Sequence, residues 1–332
     1  MPMSAKIIPI SAEYTDSLAV YMHNRFPLYS KEYISFNIDE AIDSNKENAT
    51  SFIAVDDNRN IVGCHLSFST KAWIHDKEVT AIWGHDTYLD SEYRRELGMD
   101  LVLDMAAYKF GFGLGLTDIN TKIQKLIRSN IFVDGVRKYC ILNPWILWRK
   151  IQSFLETPTS APSLPSVIHI ADKSFTNCQS PKDIQIPNNG YWNKNICEVD
   201  FIRDEDFLNK RFFKNPVHLY YIYTLKNEFC YFVLRPVLFK GVYALMIVDF
   251  RYDNTKPAQI ELIFKAAQKV CYQKRLAAIL FTTSDKNVKS LFDNNKLCRS
   301  YPVSFVSNKK NFTSKDSIVY LTAADSDDEY HK

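Results

Sequence analysis

The chain has 332 residues, 46% hydrophobic and 14% aromatic, which suits about two domains with apolar cores; nine glycines exclude collagen-like and glycine-repeat architectures. A formal charge of +3, with no basic run longer than the pairs Arg94-Arg95 and Lys309-Lys310, argues against a nucleic-acid partner. Seven scattered cysteines without a Cys-x-x-Cys indicate neither a zinc cluster nor a disulfide framework, apolar runs such as 242–248 are strand-sized, and the first residues lack the apolar stretch of a secretory leader, so the expectation is a cytoplasmic protein without a membrane span.

Residues 6–10 alternate as a short strand does. Ser11 is placed to cap a helix that reaches about residue 24 and stops before Pro27. A second helical segment spans 31–43. Strands at 51–55 and 61–72 flank the tight turn Asp56-Asp57-Asn58-Arg59-Asn60, and a further strand covers 78–89. A helix over 97–110, a short strand at 114–117, a polar helix over 120–130 and a strand at 133–141 turning at Asp134-Gly135 follow. Asn143-Pro144 opens an aromatic-rich helix through Trp145, Trp148 and Phe154, and the proline- and serine-rich stretch 157–166 reads as a linker.

Beyond it, Asp204 is placed to cap a helix reaching about residue 214, closed by Asn215-Pro216. Strands at 218–225, 229–239 and 242–252, a long helix over 257–275, a strand at 276–283, a helix over 285–297 and strands at 303–306 and 317–322 complete the chain. This order repeats the ending of the first half. The expected organisation is a first domain over 1–142, a helix and linker over 143–166, a second domain over 167–324 and a frayed acidic tail over 325–332.

The stretch over 80–108 runs from a strand into an arginine pair, a glycine and an amphipathic helix. A helix N-terminus beside two cations suits a phosphate. Arg95-Glu96-Leu97-Gly98-Met99-Asp100 resembles the [Q/R]-x-x-G-x-[G/A] coenzyme A-binding segment of the GNAT superfamily of N-acyltransferases. Asp100 departs from it and puts an anion where a phosphate would approach. The segment NTKIQKLIRSNIFVDGVRKYCI is similar to a later motif of that superfamily, with Asn120 opening the helix and Ile131-Phe132 standing where glycine-phenylalanine is usual. The resemblance spans about 6–142. It implies an α/β fold of two tandem GNAT-like domains, each a mixed, mostly antiparallel central sheet flanked by helices, with acetyl-CoA or another acyl-CoA as donor.

Acyl transfer from a thioester to an amine needs a grip on the donor, a base, an oxyanion stabiliser and a proton for the departing thiolate. The donor grip falls to the backbone N–H groups of Leu97, Gly98 and Met99 with the side chains of Arg94 and Arg95, and Asn120 joins them by resemblance. In Trp83-Gly84-His85-Asp86, a glycine inside a strand marks a bulge or a close backbone approach. The resemblance implies that this strand splays from its neighbour to admit pantetheine, and that backbone N–H groups near Tyr88 and Leu89 polarise the thioester carbonyl. His85 is the preferred general base, since imidazole titrates near neutral pH, and Asp86 is the runner-up. Strand alternation predicts that one of the two faces the cleft. Trp83 is grouped with the acceptor. The tyrosine that the superfamily uses as proton donor would fall at Ile127, leaving Tyr108, Tyr139 or water. No metal site is indicated.

The turn over 249–257 has no glycine and carries Pro257 at a helix start, so one donor site is expected, in the first half, with the second half helping to bind the acceptor. Arg211, Phe212, Pro216 and Tyr220 resemble an arrangement in tandem GNAT-like proteins associated with bacterial surface polysaccharides, which marks Arg211 and Tyr220 as acceptor contacts. The implied acceptor is a small-molecule amine, an amino sugar, free or nucleotide-linked, in a monomer or homodimer. Two alternatives stand beside this. One is a peptidoglycan-type aminoacyltransferase, against which the missing basic stripe argues. The other is a non-catalytic GNAT-like binding protein, toward which Asp100 and the missing tyrosine point.

Overall fold

The computed structural model describes residues 4–27, 29–47, 49–74, 77–106, 110–114, 118–126, 129–152, 160–186, 197–308 and 317–325, with backbone alone for 102–106, 118–120, 130, 132–134 and 317–318. The first half runs β1 (Ala5–Pro9), α1 (Thr15–Arg25), α2 (Lys31–Asn45), β2 (Phe52–Asp56), β3 (Ile61–Ile74), β4 (Lys77–Leu89), α3 (Arg94–Ala106), β5 (Gly111–Leu114), α4 (Asp118–Leu126) and β6 (Asn130–Ile141). After α5 (Pro144–Ile151) come β7 (Val167–Ile170), β8 (Lys173–Asn177), β9 (Cys197–Phe201), α6 (Glu205–Leu208), β10 (Tyr221–Leu225), β11 (Cys230–Phe239), β12 (Val242–Tyr252), α7 (Ala258–Gln273), β13 (Ala278–Thr283), α8 (Lys286–Lys289), β14 (Cys298–Ser307) and β15 (Ser317–Tyr320).

Local chemistry explains many boundaries. The Ser30 side chain accepts from the Tyr33 N–H and starts α2; Asp204 does the same for α6 through Phe207. Ser11 precedes a short 3-10 turn but makes no side-chain cap bond, contrary to expectation. Asp56 accepts from the backbone N–H of both Asn58 and Asn60 and so closes the β2–β3 hairpin, with Arg59 at a positive φ. The predicted helix over 285–297 shrinks to the single turn of α8. The predicted strand at 114–117 moves to Gly111–Leu114, while 115–117 lie outside the described residues.

The strands join in the order β1-β2-β3-β4-β5-β14-β6-β13-β12-β11-β10-β8-β7, with β9 pairing β3 and β15 pairing β9. Most ladders are antiparallel; β4–β5, β12–β13 and β9–β15 are parallel. The order contains an exchange. β14, from the second half, pairs β5, and β6, from the first half, pairs β13, while β14 and β6 pair with each other at the centre. β6 therefore runs straight through Asp134-Gly135 rather than turning there. A ladder against β14 holds it extended, and the irregularity is absorbed by a register shift between Val303 and Phe305. Cys140 lies opposite Cys298 in this central ladder and forms a disulfide with it across 158 residues of sequence, a pairing that the cysteine spacing did not signal.

Each half has helices on both faces of its sheet. In the first, α1 and α2 cover Ile53, Val55, Cys64 and Leu66, while α3 covers Ala54, Val62 and Leu89 on the opposite face, as the two-residue period of a strand requires. In the second, α7 packs Ile263 and Phe264 against Ile247, Phe250 and Phe281, and Leu208, Phe212 and Val248 fill the other side. Between the halves, Trp83 and Phe112 meet Phe201 and Phe305 in a fully buried aromatic cluster. Burying each such side chain is worth roughly 1.5–3 kcal/mol.

Candidate active site

The site begins with an irregularity in β4. Leu66 pairs with His85 and Cys64 with Tyr88, so Asp86 and Thr87 together oppose His65 alone. One residue too many on β4 is a β-bulge, and Asp86 takes it up with a φ of 44°, a left-handed conformation that aspartate tolerates better than most residues. The bulge defeats the expected alternation. His85 and Asp86 do not point to opposite faces; the His85 Nδ1 lies 3.0 Å from Asp86 Oδ2, and both side chains are buried. Gly84 is not the bulge and pairs regularly with Ser67.

Two residues that sequence reasoning missed, Tyr29 in the α1–α2 connection and Asn37 on α2, hold the Asp86 carboxylate. The Tyr29 hydroxyl donates to Oδ1 at 3.0 Å, and the Asn37 amide donates to Oδ2 at 3.1 Å. Asn37 carried a readable signal, as a polar residue on the stripe of α2 that buries Tyr33, Ile34, Ile38 and Ala41. An ionised carboxylate only accepts hydrogen bonds, so it favours the His85 tautomer that carries its proton on Nδ1. That is the tautomer of a general base.

His85 lines a cavity of about 180 Å³ whose walls come from both halves. α2 supplies Tyr33, Phe36, Asn37 and Glu40; β3 supplies Phe68 and Thr70; and the segment that carries α6 supplies Ile202, Asp204, Phe207 and Arg211. Ion pairs cross the rim, Lys71 to Asp204 at 2.7 Å and Lys210 to Glu40 at 2.8 Å. The hydrogen bond that Lys71 donates to Asp204 raises the Lys71 pKa, which keeps that lysine charged.

The opposite edge of β4 is open toward β5. Among the described residues the two strands pair at Ile82↔Gly111 and Trp83↔Phe112, whereas β4 runs on to Leu89. The Asp90 N–H bonds Val62 O, so by antiparallel alternation Tyr88 also turns its N–H toward β3 and Leu89 turns its N–H away, into the split. The Leu89 carbonyl points the same way and accepts from Arg94 Nε at 2.8 Å. Of the two amides expected at the thioester, Leu89 thus faces the gap and Tyr88 does not. The Tyr88 ring is flanked by the guanidinium groups of Arg25 and Arg94, each 5.6 Å from its centroid.

Several expected contacts are corrected. A 3-10 turn, Ser91–Tyr93, leads directly into α3, which begins at Arg94. Leu97, Gly98 and Met99 lie inside the helix, where their N–H groups bond to carbonyls four residues back and cannot cradle a diphosphate. Leu97 is buried against Leu89 and Tyr93. Arg95 is exposed in the first turn, and Asp100 is exposed one turn further along. Trp83 is a core residue, 1% exposed, and does not reach the cavity. Tyr220 is buried against Phe212 and under the Arg235 guanidinium, so it packs rather than binds; Arg211 does line the cavity. Asn120 sits in the first turn of α4 and its side chain lies outside the described residues, as do Tyr108 and Ile127; Tyr139 stacks on Phe239.

On the other face of the bulge sits His65, fully buried, its Nδ1 2.8 Å from Thr87 Oγ1 and its Nε2 without a hydrogen-bond partner among the described residues. Burial pushes its pKa down to about 3, so it is neutral. Cys64 beside it is buried, and desolvation raises its thiol pKa well above the ordinary range; it is not a nucleophile.

No protein-family model matches this chain, and no curated protein does. Solved structures do share its fold. A GCN5-related N-acetyltransferase from Kribbella flavida superposes with a TM-score of 0.57 at 10% identity, covering 92% of this chain and 71% of its own. One from Anabaena variabilis gives 0.59 at 9%, covering 92% and 72%. N-myristoyltransferase from Saccharomyces cerevisiae with bound myristoyl-CoA gives 0.57 at 13%, covering 94% and 83%. The fold is thus the GNAT fold, carried over nearly the whole chain, as the strand–helix order led one to expect. Among the described residues no helix is long and apolar enough to cross a membrane.

Proposed function

We propose that the protein is an acyl-CoA-dependent N-acyltransferase acting on a small-molecule amine, with an amino sugar as the acceptor. The observation that carries this is the bulge. It places an Asp-held imidazole at the wall of a cavity, on the strand that parts from β5. The acyl-CoA thioester would lie in the split, its carbonyl at the Leu89 N–H, with Arg95 near the diphosphate. His85 would take a proton from the amine as its nitrogen attacks the thioester carbon. The tetrahedral intermediate would collapse with loss of the C–S bond, and the thiolate would leave with a proton from water. Attack is direct, in a ternary complex, and no cysteine lines the cavity to carry the acyl group as a thioester. A cavity near 150 Å³ accommodates a benzene-sized ring, so about 180 Å³ suits a single hexosamine ring rather than a buried nucleotide. Asn37, Thr70 and Asp204 offer partners for its hydroxyls.

One observation favours a second reading, a GNAT-fold binding protein without turnover. α3 follows its 3-10 turn with no loop to cradle phosphates. Free-thiol release from acetyl-CoA over a panel of amines that includes glucosamine separates the two. Release that disappears in His85→Ala supports the enzyme. If coenzyme A raises the melting temperature and no amine releases thiol, the binding protein is correct.

A further inference from the structure

One wall of the cavity is the segment 202–211, which belongs to the second half of the chain but faces α2 and β3 of the first. Its front is tied to the first half by the Ile202 N–H, which donates to Lys71 O at 2.9 Å, and by the Lys71–Asp204 ion pair. Its back is tied elsewhere. Arg203 points away from the cavity into a fully buried cluster. Its Nε donates to Asp249 Oδ2 at 2.9 Å, and its Nη2 donates to Asp325 Oδ1 at 2.6 Å and to Thr322 Oγ1 at 3.3 Å. The same guanidinium lies 4.4 Å from the ring centre of Phe207, which itself lines the cavity. Asp325 closes its own turn by accepting from the Thr322 N–H at 2.8 Å.

Asp325 was expected to begin a frayed tail, the rest of which, 326–332, lies outside the described residues. Instead Asp325 is 2% exposed and engaged on both carboxylate oxygens. Asp249 is further held by the Tyr231 hydroxyl, the Thr322 hydroxyl and Arg251. Because these charges are buried, none of them shifts without stranding another.

We propose that Asp325 and Arg203 are positioning residues for the acceptor. The turn from Thr322 to Asp325 clamps Arg203, Arg203 fixes Phe207 and the wall behind Asp204 and Arg211, and the clamp sets acceptor affinity without touching the acceptor. This rests on the acceptor reading of the cavity. The donor split, built by β4, β5 and the start of α3, shares none of these contacts.

Asp325→Asn keeps shape and removes charge, and Arg203→Lys keeps charge and removes the fork. With acetyl-CoA and the amine that turns over best, each variant raises the KM for the amine about tenfold while the KM for acetyl-CoA and the kcat at saturating amine stay within about twofold. In the same proteins, amide hydrogen exchange over 204–211 speeds up while exchange over 61–74 does not. A lowered melting temperature with both KM values and the 204–211 exchange unchanged overturns the proposal, and so does an equal rise in both KM values. Should the wild type turn over no amine, the acyltransferase reading falls, and exchange in the two variants then decides the clamp alone.

Discussion

β4 in the first half and β12 in the second occupy equivalent places, each between an antiparallel neighbour and a parallel one, and each carries an irregularity. β4 slips opposite His65, and β12 slips opposite Val233 and Leu234. The two irregularities lead to opposite outcomes. Beside the first, Asp86 accepts from Tyr29 and Asn37 and lies 3.0 Å from His85 at a cavity wall. Beside the second, Asp249 meets Arg203, Arg251 and Tyr231 with no exposed surface left. Burial alone would raise the Asp249 pKa, and the two arginines overcome it and hold the carboxyl below its ordinary range. An aspartate at a register shift is thus not itself a site. An imidazole on a cavity wall stands beside the first, and two buried guanidinium groups stand beside the second.

The comparison can be broken most directly at His85. His85→Ala is expected to lower kcat about 10²- to 10⁴-fold, measured as thiol release, with little change in the melting temperature. The second half should show the reverse emphasis. Asp249→Ala leaves two buried arginines without their shared anion and is expected to cost about 3–5 kcal/mol in urea unfolding, whereas Asp86→Ala, which strands neutral donors, costs about 1–3 kcal/mol.

Acid should distinguish the faces of the first bulge. His65 has a folded pKa of about 3, against about 6.5 when unfolded, so below pH 6.5 the unfolded chain binds a proton that the folded one refuses. Its contribution is fully present above pH 6.5. It is lost as pH falls toward 3, at up to about 1.4 kcal/mol per pH unit, and His65→Asn flattens that slope in a pH series of urea melts. The smallest effect is expected at the turns before the long helices. Arg95→Ala raises the KM for acetyl-CoA about threefold to tenfold, as loss of one exposed phosphate partner would. Lys256→Ala, at the equivalent turn where Asp253 and Glu228 already pair the lysine, leaves that KM unchanged.

Much of this architecture was legible because it is local. The cap at Asp204, the Asp56 turn, the apolar runs of β11 and β12 and the long helix α7 all follow from short-range chemistry, and the order of elements identified the fold. What escaped was nonlocal. Whether β6 pairs within its own half or across to β13 depends on a strand far along the chain, and the Cys140–Cys298 bond spans 158 residues. The fully buried strand β9, short and interrupted by the acidic residues Glu198 and Asp200, was missed between polar stretches. At the site, His85 and Asp86 were identified by type, but their common face requires the register of two strands. The start of α3 was misplaced because Gly98 suggested a loop, whereas Asp90 and the Ser91–Tyr93 turn begin the helix earlier.

The exchanged strands also constrain how the chain matures on the ribosome. β5 gains its antiparallel neighbour only when β14 has emerged, and β6 waits for β13. At roughly 5–20 residues per second, the 158-residue separation of Cys140 and Cys298 corresponds to a delay of roughly eight to thirty seconds, during which the N-terminal sheet has an unfinished edge. Nascent-chain escort, or slow codons placed after both strands have left the exit tunnel, would matter more for this molecule than for one whose halves close independently.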